Sequence, residues 1–130
     1  CFLASKRYFG YLKKNINITD LDKLPFIIPN SNSSIRKELD KYLNKYNVKI
    51  NSVVDVWTTE MMLDFVKRGM GVGYFIKNSV SDLIKSNDFI SFDFNNSLPK
   101  VKVCIAYISE FQTYASKEFI NYLKESVNYE

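Results

Sequence analysis

Polar and apolar positions alternate along the chain in two different rhythms, and the rhythm changes about every ten residues. The start, Cys1 to Tyr8, reads as a strand. Residues 9–24 form a polar connection with a short helical cue over 19–24, for which Thr19 is the candidate N-cap. Phe26-Ile27-Ile28, closed by Pro29, is a short, wholly apolar run that suits a strand buried on both faces. A polar turn over 30–34 then leads into apolar positions at helical spacing: Ile35, Leu39, Tyr42, Leu43 and Tyr46. Val53, Val54 and Val56 predict the next strand. A helix from Thr58-Thr59-Glu60 ends at Gly69, placed as a C′ glycine. The run 70–76 predicts a glycine-thinned strand, with Asn78-Ser79 capping a short helix after it. Phe89 to Phe94 alternates as a half-exposed strand does. A turn over 95–99 precedes a long apolar strand, Val101 to Ile108, and residues 113–127 predict a closing amphipathic helix with Phe119, Ile120 and Leu123 on one side.

Strands alternating with helices make the chain α/β, with a mostly parallel sheet flanked by helices. At 130 residues, 46% of them hydrophobic, it fits one domain with ample core. No stretch approaches the roughly 20 apolar residues of a membrane span, and the charged start is not a secretory signal, so no membrane partner is expected. The net charge of +4 would suit nucleic acid. Yet only three of the 18 basic residues are Arg, and the rest are spread along the chain. The densest pairs, Lys13-Lys14 and Lys67-Arg68, are not interleaved with aromatics, so direct nucleic-acid binding is not expected. Cys1 and Cys104 both lie in apolar runs and read as buried thiols in a reducing compartment.

The chain contains no histidine, which excludes imidazole ligands and imidazole bases. Glu60 and Asp64, four apart, could share a metal but read better as a solvated helix flank. Gly71-Val72-Gly73 lacks the third glycine of a dinucleotide fingerprint and reads as packing. No nucleophile, base and orienting group assemble, so neither an enzyme nor a cofactor is expected. What the chain does offer is helix starts rich in hydroxyls. Ser31, Ser33 and Ser34 precede one helix; Thr58 and Thr59 open another. In open α/β sheets ligands bind beyond the carboxyl ends of the strands. There, helix N-termini present free N–H groups and a partial positive charge suited to an anion. Each Ser- or Thr-rich turn is by itself explained by capping; two of them after two buried strands point to a shared cleft. Trp57 either flanks that cleft or packs. Tyr74 and Phe75 either wall it or belong to the core.

Several of these segments resemble a known family. The run from Asp20 to Pro29, the helix start Ser33-Ser34-Ile35-Arg36, the strand and helix Val54 to Glu60, the stretch Phe65 to Gly73 and the closing Ser116 to Leu123 are similar, in order, to the effector-binding domain of LysR-type transcriptional regulators. The resemblance implies a type 2 periplasmic-binding-protein-like fold: two lobes, a cleft between them, and two antiparallel crossing strands. It assigns residues 1–14 to the first crossing strand and its connection, 15–98 to the second lobe, and 99–130 to the return strand and C-terminal helix. The first lobe is then largely missing, and the chain is expected to be a fragment. It implies a cytoplasmic sensor of a small effector, with Thr58 as the first ligand contact and Ser31, Ser33 and Tyr74 next; the hydroxyl-rich helix starts add Thr59, Ser34 and the flanking Trp57 to the expected site and lean its ligand toward an anion. DNA would be met only through a separate winged helix-turn-helix, in a homo-oligomer that uses helix 33–46 and strand 51–56. The alternative is a solute-binding protein of the same fold serving a transporter.

Overall fold

The computed structural model describes residues 1–12, 16–94, 98–102 and 104–126. Among these residues five strands form one mixed sheet: β1 (Phe2–Ser5), β2 (Pro25–Pro29), β3 (Asn51–Val56), β4 (Val72–Tyr74) and β5 (Phe89–Phe92). Their order is β3-β2-β4-β1-β5. β2 pairs in parallel with β3 and β4, while β1 pairs antiparallel with β4 and β5. Four strands therefore run one way and β1 alone runs against them. The helices are α1 (Lys6–Phe9), α2 (Ser34–Asn44), α3 (Thr59–Lys67), α4 (Ser81–Lys85) and α5 (Tyr114–Ser126), with 3₁₀ turns at Ile18–Lys23, Lys77–Val80 and Ser109–Phe111.

Period-two alternation sends successive side chains to opposite faces and makes two cores. Phe2, Ala4, Phe26, Ile28 and Phe92 pack with Leu39, Tyr42 and Leu43 of α2 on one face. Leu3, Ile27 and Val56 pack with Met62 and Val66 of α3 on the other. The first core centres on aromatic contacts of Phe2, whose ring centroid lies 5.5 Å from that of Phe26 and 5.1 Å from that of Tyr74. Helices thus cover both faces, as the apolar run 26–28 required.

The glycines of the Gly71–Gly73 stretch serve packing. A Cβ on Gly71 would stand 2.7 Å from the Pro25 carbonyl oxygen, and one on Gly73 2.8 Å from Val66. β4 therefore fits close to β2 and under α3 because these side chains are absent. Gly69 is a C′ residue as expected, with φ +75°. Its N–H bonds to the Val66 carbonyl at 3.0 Å, and that of Met70 to the Phe65 carbonyl at 3.1 Å, the double bond of a Schellman ending.

Several expectations are corrected. The first strand stops at Ser5, and Lys6–Phe9 is helical; β1 ends where its pairing with β5 ends, at Ser5 opposite Phe89. The N-cap of the first 3₁₀ turn is Asn17, not Thr19: the Asp20 carboxylate accepts from the Asn17 N–H at 3.3 Å. Asn78 and Ser79 lie inside a 3₁₀ turn, and Val80 is the N-cap of α4. The described residues of 101–108 form no strand and are exposed; without a sheet neighbour their backbone has no ladder to join. Cys104 is accordingly exposed, while Cys1 is buried. On α5 Ile120 is buried, but Phe119 faces solvent. Lys13, Lys14, the 95–97 part of the turn and residue 127 lie outside the described residues.

Candidate functional site

β2, β3 and β4 run in one direction, so their carboxyl ends share one rim of the sheet. The Asn30 N–H bonds to the Val56 carbonyl at 2.9 Å and ties the first two of these ends together. α2 starts five residues past Pro29, the end of β2, and α3 starts three residues past Val56, the end of β3. Their N-termini consequently open on the same rim, each presenting unpaired N–H groups and a partial positive charge.

A cleft of about 180 Å³ lies there. Ser33 and Thr58, the N-cap residues of α2 and α3, both line it, with Trp57 and Thr59 beside them. Thr58 caps its own helix, with Oγ1 accepting from the Met61 N–H at 3.2 Å. Its hydroxyl hydrogen is left to donate elsewhere. Ser33 is in an extended N-cap conformation with no capping hydrogen bond, so its hydroxyl is uncommitted to the helix. Its turn is shaped instead by Asn30, whose Oδ1 accepts from the Asn32 N–H at 3.0 Å. Trp57 is 74% exposed and stands out from the rim as a wall. Tyr74 does both things that its position allowed. It lines the cleft, yet it is only 3% exposed and packs on Phe2 in the core. Burial, and secondarily Tyr42, pushes its phenol up to about 12, so it stays protonated. Ser31 and Ser34 are exposed on the same turn and do not line the cleft.

A larger hollow of about 440 Å³ adjoins this one and shares Ile35, Tyr74, Phe75 and Ile76 with it. It brings in Lys77 and Asp93, ion-paired at 2.8 Å. These residues, and Ser79 in the smaller cleft, were missed from the sequence. The rule that led to Ser33 and Thr58 would have reached them, since Ile76 to Ser79 follow the carboxyl end of β4 and Asp93 follows that of β5 as directly. Among the described residues no cluster of three or more acidic or cysteine side chains could hold a metal. Glu60 is solvent-exposed, and Asp64 is paired with Arg68 at 2.8 Å.

The family model for the LysR substrate binding domain matches residues 1–128. The chain belongs to this family. No curated protein matches it. Solved structures of similar fold include the effector-binding domain of QuiR in complex with shikimate, at 19% identity and a TM-score of 0.69, over 98% of this chain and 62% of that one. The regulatory domain of CcmR from Synechocystis, in complex with 2-PG, matches at 15% identity and a TM-score of 0.67, over 95% and 60%. HinK, a LysR family transcriptional regulator from Pseudomonas aeruginosa, matches at 16% and 0.69, over 95% and 43%. The chain thus spans less than two thirds of the length of the structures it matches. This LysR substrate-binding domain has the mixed, helix-flanked sheet of its family, a type 2 periplasmic-binding-protein-like fold.

Proposed function

We propose that this LysR substrate-binding domain is a sensor, not an enzyme, and that it takes a small anionic effector at the rim formed by Ser33, Thr58 and Thr59. One observation carries the reading: two N-caps from two different helices line one cleft. Two convergent positive helix ends with free hydroxyl donors suit a carboxylate or phosphate. Trp57 supplies an apolar flank for the rest of the ligand, and Tyr74, kept neutral, supplies part of the floor. Ser31 and Ser34 belong to the same turn and reach a ligand only if it extends beyond the cleft.

The larger assembly belongs to the same proposal. Residues 1–14 and 99–130 act as the connections between lobes, and 15–98 as one lobe. An effector changes their relative arrangement only through its differential affinity for two arrangements. DNA is contacted by a separate winged helix-turn-helix in a cytoplasmic homo-oligomer. The family membership and the bound ligands of QuiR and CcmR support this reading.

The test is a thermal-shift titration with acetate, sulfate, shikimate and 2-PG, repeated on Thr58→Val. The substitution removes a cap worth about 1 kcal/mol, so each shift is read against the variant's own baseline. At least one anion should stabilise the parent protein, and its effect should fall several-fold in the variant. A ligand that stabilises both equally removes Thr58 from the site.

A further inference from the structure

A third depression, of about 550 Å³, opens on the opposite rim of the sheet, where β1 ends and α3 stops. Ser5, Lys6, Arg7, Lys67, Asn87 and Asp88 line it. α3 spans nine residues from the cleft rim to this one, a separation of roughly 13 Å at 1.5 Å per residue. The two places are therefore distinct.

Three cations gather here against a single carboxylate, Asp88. Lys6, Arg7 and Lys67 form no ion pair with any described residue. The other two arginines, Arg36 and Arg68, are both paired with carboxylates. Lys6 donates one bond, to the Asn87 Oδ1 at 2.6 Å, which leaves two ammonium hydrogens. The Arg7 guanidinium lies 5.4 Å from the centre of the Tyr8 ring. That stacking holds the guanidinium while leaving its edge N–H groups to bind. The carbonyl end of α3 offsets about half a charge, and Asp88 one more. The balance remains positive.

Ser5 is the second, independent observation. It is 6% exposed, the one buried residue among those described that is neither apolar nor aromatic, and its hydroxyl bonds no described residue. It nonetheless is not sealed away, since it lines the depression. By the alternation of β1 it lies on the α3 face with Leu3, under the end of the helix that carries Lys67.

We propose that this depression is an accessory binding site for a small phosphate monoester that carries a free hydroxyl. Lys6, Arg7 and Lys67 take the phosphoryl oxygens, which a guanidinium fork and two ammonium groups match. Ser5 donates to the same group. Asp88 accepts from the ligand hydroxyl and disfavours a second anionic group beside it. The volume exceeds that of a phosphate ion and leaves room for a short polyol.

Glycerol 3-phosphate is the probe, followed by amide chemical shifts of the whole chain at fixed ionic strength. Saturable shifts should appear at 5–7, 67 and 87–88. Affinity should fall about tenfold or more in an Arg7→Ala, Lys67→Ala double variant and several-fold in Ser5→Ala. Thr58→Val should leave it unchanged, which separates this site from the cleft whatever the cleft binds. All three substituted side chains lie outside the core clusters, and circular dichroism checks that the fold persists. Unchanged affinity in the double variant would overturn the proposal, as would shifts spread evenly over remote lysines such as Lys23 and Lys41. A short DNA duplex perturbing 5–7 and 67 more strongly than the monoester would also overturn it, because the ligand would then be a phosphodiester backbone.

Discussion

The Cα of Gly69 sits against the ring of Tyr8, close enough that any side chain at 69 would overlap it. Two constraints meet at this glycine: its φ of +75° and the neighbouring ring. Gly69→Ala should therefore cost about 1–2 kcal/mol for the left-handed backbone alone, plus the displacement of Tyr8. Tyr8 is half exposed and can move. Urea unfolding of Gly69→Ala in the parent and in a Tyr8→Ala background separates the two. The substitution should cost less in the second background; equal costs would mean that the ring yields freely and only the backbone matters.

Arg36 fastens the start of α2 to the sheet. Its Nε donates to Asp40 at 2.8 and 3.0 Å, and its Nη1 donates to the Pro29 carbonyl at 3.2 Å and to Asp55 at 3.5 Å. Its side chain is 17% exposed, so these bonds are partly shielded. Arg36→Ala should destabilise the protein by about 1–3 kcal/mol, since it leaves two carboxylates and a carbonyl without their shared donor. Arg36→Lys should recover little, because one ammonium cannot span that fork. Denaturant midpoints of the two variants decide it; a fully stable Lys variant would show that charge alone suffices.

Arg36 also shows what the sequence made legible. Ser33-Ser34-Ile35-Arg36 marked a helix start, and the helix is there; nothing in spacing disclosed that Arg36 reaches Pro29 and Asp55, which only the packed sheet brings near. The buried strand 26–28, the α3 ending at Gly69 and the strand read over 89–94, which in the fold ends at Phe92, were readable because each is decided by local chemistry or by burial on known faces. Ser33 and Thr58 were readable as N-caps, and their meeting in one cleft followed from strand direction. The segment 101–108 was not readable. Its apolar run fits a strand, but a strand needs a neighbour, and a single sequence does not say whether one is present.

That segment and α5 carry a surface consequence. Ile105, Ile108, Phe111, Tyr114, Phe119 and Tyr122 are each at least half exposed. So many large apolar side chains on one stretch exceed what scattered surface residues account for. The chain should therefore bind the dye ANS while natively folded, and a Phe111→Ser, Tyr114→Ser variant should bind less, with unchanged near-ultraviolet dichroism. Dye binding that is indifferent to the pair would place the exposed apolar surface elsewhere.

Tyr74 gives the pH dependence a defined sign. Burial raises its phenol from 10 to about 12 in the folded chain. Between these values the unfolded chain has lost the proton and the folded chain retains it, so the folded state binds more protons and stability falls as pH rises. Below pH 10 the contribution is complete; through about 12 it disappears. A rise from 10 to about 12 corresponds to about 2–3 kcal/mol. The other tyrosines add a background, so the measurement is the difference between the parent and Tyr74→Phe, followed by urea unfolding from pH 9 to 12. The parent should lose its stability relative to the variant across that window. Parallel curves would mean that Tyr74 ionises as readily folded as unfolded, and that the floor of the cleft is wetter than its 3% exposure implies.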